Sequence, residues 1–116
     1  MAPRTTGVVE WTELGDLDAV ADGPRSDRPL VKVEARIDGA TVIRIAFTGG
    51  QRMPDHQAAQ PILIVGQHGK VEVTIAGTAI TVTAGRAVHI AANVRHELFA
   101  QEAAAVTLLV LNSTEA

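Results

Sequence analysis

From residue 30 onward the chain repeats one short unit. Four to eight apolar or β-branched residues are followed by a corner rich in Gly, Asn, Gln or Ala, and no long helical pattern interrupts the rhythm. A strand sends successive side chains to opposite faces, so alternation at period two marks a segment with one wet and one buried side. Val31, Val33, Ala35 and Ile37 alternate with Lys32, Glu34, Arg36 and Asp38, which predicts a half-buried strand. Asp38-Gly39 then turns the chain into the β-branched run 41–47, a hairpin signal, and Gly49-Gly50 closes the unit. The same reasoning places strands over 62–65, 70–75, 78–83, 87–91, 95–99 and 104–111, eight in all. Short strands with turns every 8 to 12 residues make an all-β sandwich or closed barrel. An immunoglobulin-type sandwich is disfavoured, because the chain has no cysteine and no Trp after position 11. Gly69 and Gly85 fall where a double-stranded barrel needs tight corners.

At 116 residues there is room for one core. Residues 1–28 differ from the rest, with Pro3, Pro24, recurrent Asp and Gly, and the single Trp; they read as an N-terminal arm before a domain over 29–116. Asp16 is placed to cap a short helix through Val20, with Gly23 near its end, and Trp11 is the residue expected to dock the arm. No apolar run approaches the roughly 18 residues that span a bilayer, and Met1-Ala2-Pro3-Arg4 opens no secretory signal, so the expected location is cytoplasmic. A net charge of -3 and 3% aromatic residues supply neither a basic stripe nor a stacking platform, which argues against nucleic-acid binding. The absence of cysteine removes disulfides, thiolate ligands and a thiol nucleophile. Ser26 and Ser113 lie in the arm and the tail, away from any strand-to-helix elbow, and the glycine corners lie between strands, so neither a hydrolase triad nor a phosphate loop is expected.

Two glycine-framed blocks carry the chemistry. The first runs Gly50-Gln51-Arg52-Met53-Pro54-Asp55-His56-Gln57-Ala58 and continues through Ile62 to Gly69; the second runs from Gly85 to Asn93-Val94-Arg95-His96. Over roughly residues 42 to 111 this order and spacing resemble the two motifs of the cupin superfamily. The resemblance implies a double-stranded β-helix, or jelly-roll barrel, with His56 and His96 on metal-binding positions. It also shows departures: Ala58 stands where the family has a second His, Ile62 where it has Glu, and Ala91 and Asn93 replace a Pro and a Gly. Small cupins commonly pair, so the resemblance further implies a homodimer, in which an arm carrying Trp11 and Leu14 crosses to the neighbour.

Two imidazoles without a carboxylate leave a divalent ion short of its usual three or more protein donors. Gln60 offers an amide oxygen, two residues short of the carboxylate position. With hydrocarbon in place of the lost ligands, the expected function is binding of a small organic molecule by His56 and His96 against Ile62, Ile64 and Leu98, and no cofactor is required. The alternative is an oxygenase-like or isomerase-like enzyme using a weakly held divalent transition metal on His56, His96 and Gln60. His68 and His89 are expected to be solvated, and Asp55, Glu97 and Glu102 to be surface charges.

Overall fold

The computed structural model describes residues 10–20 and 26–112. Among the described residues nine strands follow one another: β1 (Leu30–Ile37), β2 (Ala40–Phe47), β3 (Arg52–His56), β4 (Ile62–His68), β5 (Lys70–Ile75), β6 (Thr78–Thr83), β7 (Ala87–Ile90), β8 (His96–Phe99) and β9 (Ala104–Leu111). They form a five-stranded sheet in the order β1-β2-β9-β4-β7 and a four-stranded sheet in the order β3-β8-β5-β6, every pairing antiparallel. The ninth strand is β3, which sequence alternation missed because Pro54 and a register shift between Met53 and His56 break its period. Pro lacks the ladder N–H, and β3 meets that restriction as an edge strand.

The inward residues of both sheets make one core. Ile45, Phe47, Ile62, Ile64, Val71, Val73, Val82, Leu98, Val106 and Leu108 are all buried there. Each such side chain taken out of water stabilises the fold by about 1.5–3 kcal/mol. In β4 the buried positions alternate, Ile62, Ile64 and Gly66, as expected for a strand with one face on the core. The central β9 is buried on both faces from Ala104 to Leu108, and its outward Thr107 accepts a bond from Gln67 Nε2 at 2.9 Å.

Two expectations for the beginning of the chain are corrected. Asp16 has φ 59°, left-handed backbone, and Ala19 N–H bonds to the Asp16 carbonyl in a turn, so no helix starts there. Trp11 is 71% exposed and does not dock the arm. Docking is done by backbone carbonyls instead: Arg44 Nη1 donates to Ala19 O at 3.0 Å and Gln51 Nε2 to Ser26 O at 2.8 Å. Strand β1 also departs from its half-buried pattern, since Leu30, Val31 and Val33 are 48%, 50% and 40% exposed. It is the outer strand of its sheet and its contacts with other strands are with β2.

The hairpin joining β5 and β6 turns on Ala76 (φ 51°) and Gly77 (φ 82°). Two successive left-handed residues suit the twist of a hairpin, but a Cβ in that region costs roughly 1 kcal/mol, and Asn tolerates it better than Ala. Ala76→Asn is expected to raise the thermal midpoint by a few degrees, checked by calorimetry.

Candidate functional site

The two histidines of the sequence motifs meet. The β3–β8 register places His56 opposite His96, and their ring centroids lie 4.3 Å apart at an interplanar angle of 60°. His56 is half-buried; His96, on the inward face of β8 two residues from Leu98, is 1% exposed. Both rings are oriented in the same way. His56 Nδ1 is 2.9 Å from the Pro54 carbonyl and His96 Nδ1 is 3.0 Å from the Val94 carbonyl. A carbonyl only accepts, so each Nδ1 carries a proton, and the neutral His96 ring presents Nε2 as an acceptor. His96 Nε2 is buried without a hydrogen-bond partner. Burial lowers the His96 pKa below 6.5; the Val94 carbonyl opposes that shift, proximity to His56 adds to it, and Asp55 opposes it. The His96 ring is therefore neutral at physiological pH, with a buried lone pair facing no donor.

An ion pair unanticipated from the sequence flanks the rings. Arg95 Nε donates to Asp55 Oδ2 at 2.7 Å, joining the residue before His96 to the residue before His56. Both partners are more than half exposed, so the pair adds at most about 1 kcal/mol. The signal was present as the repeated order Asp-His and Arg-His, but only strand register brings the two dipeptides together. Glu97 is bonded by Arg52, whose guanidinium also lies 4.7 Å from the centre of the Phe99 ring. His68 and His89 are exposed, as expected.

Ile62, Ile64 and Leu98 are 2%, 0% and 0% exposed, part of the packed interior. Ala58 packs against that core from its edge, and Gln60 is half-buried in the bend before β4. A groove of about 430 Å³ lies on the outer surface of the four-stranded sheet, lined by Lys70, Glu72, Thr81 and Phe99 among others; none of the five expected ligand residues lines it. Among the described residues no group of three or more His, Asp or Glu is placed to hold a metal ion. Two imidazoles with apolar residues at the positions of the missing donors do not fit a resident divalent metal. No helix among the described residues is long and apolar enough to cross a membrane.

No family model matches the chain, and no curated protein does. Solved structures do. A cupin superfamily protein from Desulfitobacterium hafniense superposes with a TM-score of 0.70 at 14% identity over 79% of this chain and 84% of its own. An RmlC-like cupin from Desulfovibrio desulfuricans gives 0.66 at 16% over 95% and 97%. A protein from Ralstonia eutropha, provisionally named a mannose-6-phosphate isomerase, gives 0.71 at 18% over 88% and 100%.

Proposed function

Since this chain has the cupin fold, we propose that it binds a small organic molecule at the imidazole pair, and that the molecule carries hydroxyl or amine donors. The observation that carries this reading is the buried, unpartnered Nε2 of His96 beside the half-exposed His56. A buried acceptor left unpaired costs about 1–3 kcal/mol, and a ligand O–H or N–H aimed at it recovers that loss. The buried His96 acceptor beside a second imidazole suits the hydroxyl or amine of a diol or aminoalcohol. In this reading Ile62, Ile64 and Leu98 are the hydrocarbon behind the rings, excluding water from the contact. The fold alone selects no reaction, because catalysis or binding resides in the site and not in the scaffold.

The test is a thermal-shift and calorimetric screen of polyols, sugars, phenolics and carboxylic acids. A hydroxyl-bearing ligand at a hundred times its Kd is expected to add roughly 2.7 kcal/mol of stability, with the gain lost in His56→Ala and His96→Ala. A hit confined to carboxylates would overturn the proposed chemistry. Elemental analysis of protein purified without chelator separates the second reading: stoichiometric transition metal, lost in both variants, would replace ligand binding by a metal-dependent enzyme.

A further inference from the structure

The outer face of the four-stranded sheet holds its charges in two different ways. Along β5 the residues alternate, with Val71 and Val73 inward and buried and Lys70 and Glu72 outward and exposed. Register sets Arg52, Phe99, Glu72 and Thr81 side by side across β3, β8, β5 and β6. Toward the β3 edge the outward charges neutralise one another, since Arg52 bonds Glu97 and Arg95 bonds Asp55. Lys70, Glu72 and Glu102 behave otherwise. Among the described residues none of these three side chains makes a hydrogen bond or an ion pair, although all three line the groove of about 430 Å³ on this face.

The walls of the groove are fixed by backbone. Gly69 takes φ 67°, and a Cβ built on it would lie 2.5 Å from the Ala103 carbonyl oxygen, so the β4–β5 corner rests directly on the β8–β9 corner that carries Gln101 and Glu102. That second corner is tied down where it begins: Gly50 N–H donates to Ala100 O at 2.8 Å and Ala100 N–H to Gln51 O at 3.1 Å. Phe99 supplies the apolar wall, half-buried, with its ring centre 4.7 Å from the guanidinium carbon of Arg52. A volume of this size falls among small-molecule sites, about 300–1,000 Å³.

The charges indicate what the groove takes. Unpaired groups of both signs around a half-buried ring are complemented by a compact zwitterion with an apolar body. An anion alone is opposed by the two carboxylates, and a cation alone by Lys70. A neutral polyol leaves all three charges without a counter-charge. We infer that the groove binds a free α-amino acid with an apolar side chain. Its ammonium lies between Glu72 and Glu102, its carboxylate meets Lys70, and its side chain packs on Phe99. An ammonium has three donors and so serves two carboxylates at once. This site is on the outward face of the sheet whereas His96 faces inward, and it does not rest on the reading of the imidazole pair.

Titration of isotopically labelled protein with L-phenylalanine at about pH 6, where an α-amino group is charged, tests the assignment through amide chemical shifts. Shifts are expected at residues 69–72, 81 and 99–103, with a Kd on the order of 1 mM, because each solvent-exposed ion pair is worth at most about fivefold in affinity. N-acetyl-L-phenylalanine lacks the ammonium and L-phenylalaninamide the carboxylate, and each is expected to bind about fivefold more weakly. Lys70→Gln is expected to abolish the preference for the amino acid over its amide, and Glu72→Gln combined with Glu102→Gln the preference over the N-acetyl form. His96→Leu is expected to leave all of these shifts in place. Should a variant fail to fold, the three ligands compared on the parent protein decide alone. Equal affinity for the three, no shift up to roughly 20 mM, or shifts centred on His56 and His96 would overturn the inference. Tighter binding of methyl glucoside in the same groove would overturn it too, in favour of a polyol.

Discussion

Gly66→Ala is expected to cost on the order of 3–5 kcal/mol, a large share of the roughly 5–15 kcal/mol that holds a typical domain folded. A Cβ built on Gly66 lies 2.0 Å from the Thr83 carbonyl oxygen and 2.6 Å from its carbon. Both are backbone atoms and cannot step aside as a side chain does. The same residue donates to Arg86 O at 2.7 Å and accepts from Gly85 N at 3.0 Å, so β4 is clamped against the corner joining β6 of one sheet to β7 of the other. Adding a methyl there forces the corner away, combining overpacking of about 1–3 kcal/mol with two hydrogen bonds worth about 1 kcal/mol each. Urea midpoints measure the loss. Gly15→Ala is the control: nothing lies within 4 Å of its added Cβ, and a change within about 0.5 kcal/mol is expected. If the two substitutions cost the same, the close approach at Gly66 is not what holds the sheets together.

His96→Leu is expected to abolish ligand stabilisation while leaving the free protein as stable as before, or more stable by up to about 1 kcal/mol. The ring is 1% exposed and its Nε2 has no partner, so an apolar side chain of similar volume removes an unpaired acceptor at the expense of the Nδ1 bond to Val94. The pH dependence should change as well. Burial holds the folded-state pKa of His96 below 6.5, the value for an unfolded chain. As pH falls through 6.5, the unfolded state takes up a proton that the folded state refuses. Stability is therefore full above 6.5 and falls as pH drops toward the depressed folded value, below which this residue causes no further loss. The thermal midpoint of the parent should fall more steeply from pH 7.5 to 5 than that of the leucine variant. Parallel curves, or a leucine variant destabilised by more than about 2 kcal/mol at pH 7.5, would show that Nε2 is satisfied and that the imidazole serves structure.

Much of the fold was legible because strand alternation and glycine corners are local signals. Ile62, Ile64 and Leu98 are buried on strands the sequence placed, and Gly69 and Gly85 do take positive φ at barrel corners (67° and 86°). The failures have local causes too. Pro54 and a bulge hid β3, and Asp16, a good helix cap by residue type, occupies left-handed backbone inside a turn. For the site, the resemblance to the two cupin motifs singled out His56 and His96. Their tautomers depend on the Pro54 and Val94 carbonyls, and the flanking Asp55–Arg95 bridge spans forty residues; neither is written in a window of sequence.

By itself the amino-acid order determined where the chain bends and which residues of the inner strands turn inward, because each follows from neighbours a few positions apart, while the resemblance to the cupin motifs marked Ala58 and Ile62 as hydrocarbon in place of donors. The tertiary structure alone decided that the two rings touch, that one buries a lone pair without a partner, that Gly66 and Gly69 admit opposing backbone, and that β1 is the outer strand of its sheet. Those properties arise where segments distant along the chain come into register, and the energy of a contact belongs to both of its sides.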